Sequence, residues 1–310
     1  LVRPLLDDGT ALLAAVRSLR QREQPLGAVL LGAGWQGAFH DLSPNAVRFA
    51  DWGSVRAELA STGVAVIGTV GPQLDLSADA DMGPGWGAAQ ALYDEAAAAS
   101  YLVRTAEGAP ALINWAPGRS GGIVDCSSTE AAAWLGSRAE LTARIFRFDG
   151  YALSDESGLR ARGALLPLAD GSDTVSSHRR FEALVSASFA EALPDDSIVL
   201  ARAGGDGGQT ALHLPLPPRL AASFAPASAT TAGGLPAAAV ALLSLSTSGY
   251  PLPASVAGGD FGEPDARLLA RWAQLAALSP AMLLRSGDAG GWEQSLSAGD
   301  ALSRALRLRM

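Results

Sequence analysis

One short apolar segment carries the residues best placed to do chemistry. Asp149 precedes Gly150-Tyr151-Ala152-Leu153, and Ser154, Asp155 and Glu156 follow it. Carboxylates beside a buried strand can serve as nucleophiles or exchange protons. A long acid-free window stands against this supply: from Gly207 to Gly259 there is no Asp or Glu. His40, His178 and His213 are far apart in sequence, so no metal site is expected. A Ser/His/Asp triad has no GxSxG turn to present its serine. The glycine-rich stretches GWQG, GPGWG and AGGDGG lack the GK[ST] of a phosphate loop, and the chain has no lysine. No cofactor is expected.

Other site classes are narrowed by composition. The formal charge is −8 with a pI near 4.9, which argues against nucleic-acid binding, because that needs clustered positive charge. Cys126 is the only cysteine, so no intrachain disulfide can form, and a lone cysteine reads as a small buried hydrophobe. No run of about 18 apolar residues is present, so no membrane span is expected. Residues 1–20 lack the pattern of a signal peptide. Nothing in the sequence fixes an oligomeric state or a compartment.

Elements that could position these groups alternate along the chain. Leu12, Leu13, Val16 and Leu19 share one face of a helix over 8–22. Helices are also read at 51–63, 87–99, 129–144, 177–193, 236–248, 264–278 and 292–308, with Asp51 as N-cap of the first of these. Short apolar runs near 27, 64, 147, 197, 210, 251 and 280 read as strands buried on both faces. Strand-then-helix order implies parallel strands joined by crossovers. The reading is one domain over 1–310, an α/β (β/α)8 TIM barrel lacking its first strand in this chain, since seven strands are counted and that fold needs about eight. Residues 217–238, rich in Ala, Ser, Thr and Pro, read as a loop.

Several segments resemble one family in the same order. Gly34-Trp35-Gln36 is similar to a "DDGWQ" segment. The run from Tyr101 to Leu135 is similar to "YFVRxxdGxPxLVxWWNGxGGVLDFTNPEAxxWF". Gly249 to Gly287, with Arg271-Trp272-x-Gln274, resembles "GYPFV-PDIGG…ELYIRWLQLGAFMPAMR". The likeness is to glycoside hydrolase family 31, the α-glucosidase and α-galactosidase family, and lies nearest its myogenesis-regulating glycosidase subgroup.

The resemblance implies a retaining mechanism, which needs two facing carboxyl groups roughly 5–5.5 Å apart at the C-terminal mouth of the barrel. An ungapped alignment puts the nucleophile position on Ser154, leaving Asp155 and Glu156 as fallbacks. A second alignment reads Phe146-Arg147-Phe148-Asp149 as the nucleophile strand and makes Asp149 the fallback. The general acid falls inside the acid-free window. The sugar-binding aspartates of the family fall on Gly32, Ala33 and Ser255. Trp35, Trp115, Ser255 and Arg285 are the candidate substrate-binding residues, whereas Trp134 and Trp272 read as helix core.

Three expectations follow. The first is a carbohydrate-related barrel, with a sugar as its ligand, whose catalysis is impaired or lost. The second is an active α-glycosidase using relocated carboxylates, including Asp206 or Asp260 as acid. The third is a non-catalytic scaffold.

Overall fold

The computed structural model describes residues 2–3, 8–21, 23, 26–37, 41–76, 86–116, 119–153, 165–202, 214–216, 220–221, 223–225, 233–250, 252–258 and 265–285. In chain order the elements are β1 (Val2–Arg3), α1 (Gly9–Gln21), β2 (Ala28–Leu31), a 3₁₀ turn (Ala33–Trp35), α2 (Trp52–Ser61), β3 (Ala65–Val70), β4 (Gln73–Asp75), α3 (Trp86–Ala98), β5 (Ile113–Ala116), β6 (Arg119–Ile123) and α4 (Thr129–Phe146). There follow β7 (Gly150–Leu153), α5 (His178–Ala192), β8 (Ile198–Arg202), β9 (Leu214–Leu216), α6 (Leu235–Thr247), β10 (Ala254–Ala257), α7 (Ala266–Ala277) and β11 (Ala281–Arg285).

Eight strands form one parallel sheet in the order β10-β11-β1-β2-β3-β7-β8-β9. The two ends of that order, β9 and β10, pack against each other and close the cylinder. This is the (β/α)8 barrel expected from the sequence. One point is corrected: the strand expected upstream of Leu1 is present as Val2–Arg3, which pairs with Leu284–Arg285 on one side and Val29 on the other.

Side-chain alternation along the strands builds two layers. Ala28, Leu30, Ile67, Ala152, Leu200, Ala254, Val256 and Leu283 fill the barrel interior as one buried cluster. The alternate positions, such as Val29, Val66, Tyr151 and Val199, face the surrounding helices and join a second cluster with Leu12, Leu59, Leu135 and Phe189. Trp272 of α7, wholly buried, centres a third with Ala257 and Met282.

Helix boundaries follow their caps. Asp51 caps α2 by accepting from Ser54 N–H (3.3 Å), Ser128 caps α4 from Ala131 N–H (3.2 Å), and Asp265 caps α7 from Leu268 N–H (2.7 Å). The loop read at 217–238 ends earlier, because α6 already begins at Leu235; its described ends are laced by Ala221 N–H to Gly233 O and Gly234 N–H to Ala225 O (both 2.9 Å). The helix read at 292–308 lies outside the described residues. Among those residues no helix is long and apolar enough to cross a membrane.

Between β3 and α4 the chain makes an excursion on the C-terminal side of the barrel. It comprises α3 and an antiparallel sheet in the order β4-β6-β5. Glu95 of α3 pins it to α4. Its carboxylate accepts from Trp134 Nε1 (2.7 Å) and pairs with Arg138. The Arg138 hydrogen bond first, then that of Trp134, hold the Glu95 carboxyl below its usual range. A carboxylate lowered in the folded state stabilises above its unfolded pKa and ceases to do so as pH falls through the lowered one. Stability measured by urea unfolding should therefore fall between about pH 5 and pH 3, and Glu95→Gln should flatten that decline.

Candidate functional site

The C-terminal rim of a barrel of this kind carries the chemistry, because the strands there present side chains to a common hollow. Its eight strands end at Arg3, Leu31, Val70, Leu153, Arg202, Leu216, Ala257 and Arg285. None is acidic. Within two residues beyond these ends the sequence offers one carboxylate, Asp155. Ser154, Asp155, Glu156, Asp206 and Asp260 all lie outside the described residues, as do His40 and His213.

Asp149 is displaced from the rim altogether. It stands at the N-terminal end of β7, just before Gly150 pairs with Ile67 and Ile198. Its two oxygens accept from Arg56 Nη2 (3.0 and 2.7 Å), and Oδ2 also accepts from Val66 N–H (2.7 Å). Arg56 itself is buried and donates through Nε to Arg147 O. The second alignment, which reads Phe146–Asp149 as strand, is thereby overturned: α4 runs to Phe146, and Arg147 ends it in the left-handed region (φ 59°). Asp149 is a clamp between α2, β3 and β7. Asp149→Ala leaves a buried guanidinium short of its partner and should cost about 1–3 kcal/mol in denaturant unfolding, with saccharide binding unchanged.

Trp35, expected as a sugar platform, is core instead. It is 2% exposed, and its Nε1 donates to Thr69 O (2.9 Å). Its ring tilts against Phe148 at 4.6 Å, and Phe148 in turn stacks on Trp52 at 5.1 Å. A Cβ built on Gly68 would meet the Trp35 ring at 3.1 Å, so the indole packs directly against that glycine on the helix-facing side of β3. The same Thr69 carbonyl accepts from Gln36 Nε2 (3.1 Å), and Gln36 Oε1 accepts from Leu42 N–H (3.0 Å), which fixes the loop after β2.

Ser255 is also misplaced for sugar binding. It is 1% exposed and pairs in register with Met282. Ala254 and Val256 point into the barrel, so Ser255 and Ala257 face the helix layer. Trp115 falls on β5 of the excursion sheet, where the register with β6 shifts between Asn114 and Ala116. Arg285 is the last residue of β11. Among the Trp residues read as core, Trp272 is fully buried, whereas Trp134 is half-buried and tied to Glu95.

Buried acids on the C-terminal side were passed over in the sequence. Asp41 caps a turn, accepting from Ser43 N–H (3.0 Å) and Oγ (2.9 Å). Asp125 accepts from Ser127 N–H (3.1 Å) and Oγ (2.6 Å) and from Ala169 N–H (2.8 Å), joining two loops. Gln73 and Asp75 share one face of β4, fully and almost fully buried. The polar-apolar-polar order of Gln73-Leu74-Asp75 was the signal. Cys126, buried beside Ser188, has its thiol pushed up to about 12 by burial. It should resist thiol reagents at neutral pH until the chain is unfolded.

Among the described residues no group of three His, Cys, Asp or Glu is arranged to hold a metal ion. Among the described residues, the eight strand ends are aliphatic or arginine positions and bring no acid to the rim.

Comparison with known proteins gives this geometry a family. No curated protein sequence matches the chain. Solved structures do. The glucosidase II alpha subunit superposes with a TM-score of 0.79 at 17% identity, over 99% of this chain and 33% of that one. The cycloalternan-degrading enzyme from Trueperella pyogenes gives 0.79 at 17%, over 99% and 47%. A sulfoquinovosidase from E. rectale, in complex with an aza-sugar inhibitor, gives 0.75 at 19%, over 96% and 44%. The chain thus spans a third to about half the length of these proteins. At such identities the likeness shows the fold. The model of the glycosyl hydrolases family 31 TIM-barrel domain matches residues 6–310, and the chain accordingly belongs to glycosyl hydrolase family 31.

Proposed function

We propose that this chain is a carbohydrate-binding family 31 barrel that does not cleave glycosidic bonds. One observation carries the reading: within two residues of the ends of the eight strands the sequence holds a single acid, Asp155. Retaining hydrolysis needs one carboxylate to attack the anomeric carbon and a second to protonate the leaving oxygen. Asp155 would supply at most one of them. The second is missing from the whole window that holds β9, α6 and β10. The buried acids Asp41 and Asp125 are engaged in turns, and Asp75 belongs to the excursion sheet rather than to a barrel strand. The saccharide class comes from the family and from the sugar ligands named for its solved relatives. The order of the motifs supports, within the family, a position near the myogenesis-regulating glycosidase subgroup as part of this proposal.

The test is a calorimetric titration with isomaltose and with p-nitrophenyl α-galactoside, followed by product analysis. Saccharide binding with no product is the expected result. Product formation abolished by Asp155→Asn would establish an active enzyme with a relocated nucleophile. Failure of every neutral saccharide to bind would leave the scaffold reading.

A further inference from the structure

We propose a second saccharide site on the flank of the barrel, in a hollow between α3, α4 and the loop at Asp41 and Leu42. The hollow has a volume of about 320 Å³ and opens to solvent. That is at the small end of the range for ligand sites, roughly 300–1,000 Å³, and suits one or two sugar rings. None of its lining residues belongs to a barrel strand.

Three features of its wall fit a neutral pyranose. Leu42, Leu92 and Leu141 give an apolar side of the kind that takes the C–H face of a ring. Asp41 and Glu95 border the same hollow, and the Glu95 carboxylate, half-exposed and already accepting from Arg138 and Trp134, keeps acceptor lone pairs for a hydroxyl. Arg138 presents donors. Its Nη2 binds both Glu95 oxygens and its guanidinium lies over the Trp134 ring at 5.8 Å, so its plane is already fixed. Among the described residues, Nε and Nη1 of Arg138 make no hydrogen bond. A donor and an acceptor beside an aliphatic wall suit hydroxyl edges and do not select an anion, because the Glu95 carboxylate offsets the Arg138 guanidinium.

The hollow is also held in shape. Thr142 Oγ1 donates to Leu42 O (3.0 Å), fixing the loop to α4. Asp41 is locked by Ser43. A preformed wall reduces the ordering cost of weak binding.

The Trp134 indole N–H reports on this site and not on the mouth, because it donates to Glu95 Oε1 on the wall. In nitrogen-15 NMR spectra, with the resonance assigned by its loss in Trp134→Phe, isomaltotriose should shift this signal saturably in the millimolar range. Arg138→Met, which alters a partly exposed side chain, should weaken half-saturation about tenfold or more. Leu92→Arg, which fills the hollow, should abolish the shift, with circular dichroism confirming that each variant is folded. A Trp134 signal that stays still while the sugar binds elsewhere overturns this inference and leaves the reading of the mouth intact. A shift that survives unchanged in both variants overturns it equally.

Discussion

The purified chain should release p-nitrophenol from α-glucoside and α-galactoside no faster than buffer does. Removing a positioned general acid costs about 10²–10⁴-fold in rate, and the nucleophile is a separate requirement. Ser154, which the ungapped alignment puts at the nucleophile position, would bring no negative charge to an oxocarbenium-like transition state. No alignment introduces an acid between Gly207 and Gly259. Asp149→Asn should leave the blank rate unchanged, since that carboxylate is held by Arg56 at the opposite end of the barrel. A rate above buffer that disappears on Asp155→Asn would overturn the reading.

The second large effect concerns Gly150. A Cβ built there would sit 1.9 Å from Ile198 O and 2.7 Å from Ile198 N, at a backbone φ of 157°. These are main-chain atoms of β8, bound into the sheet through Ile198 N–H to Asp149 O (2.9 Å). No side chain can swing aside to admit the methyl group. Gly150→Ala must push β7 from β8 or twist both, at the point where Asp149 also ties β7 to α2. Destabilisation on the order of 4 kcal/mol or more is expected, a large share of the roughly 5–15 kcal/mol that holds a typical domain folded. Soluble expression and the midpoint of thermal unfolding measure it. A variant that melts within a few degrees of the parent would show that the strands can separate locally at little cost.

Much of the barrel was legible because parallel strands buried on both faces leave continuous apolar runs. All seven strands read from the sequence appear, from Ala28–Leu31 to Ala281–Arg285. The eighth left no such mark. Val2–Arg3 is two residues long, too short for periodicity, and is defined by backbone pairing with β11 and β2. The end of α4 was equally silent. A left-handed stop usually falls on glycine, and here it falls on Arg147. Missing it lengthened the reading of β7 by three residues and let Asp149 pass for a rim residue.

The site was harder to read than the fold, because side-chain direction depends on register. A tryptophan just after a strand could stack on a ligand or on the protein. Trp35 does the second because Gly68 leaves room for its ring and Thr69 O takes its N–H. Ser255 sat at the right position along its strand and on the wrong face, a difference of one residue. Composition does not depend on register: an acid missing from a whole strand-helix-strand unit is missing however that unit is aligned.

The most direct test of the central claim is mass spectrometry of the intact protein after incubation with 5-fluoro-α-glucosyl fluoride, which traps a glycosyl-enzyme ester on a nucleophilic carboxylate. The mass should be unchanged, within the error of the instrument, after prolonged exposure. A stoichiometric sugar adduct, mapped to a peptide containing Asp155 or any other acid at the barrel mouth, would contradict that claim.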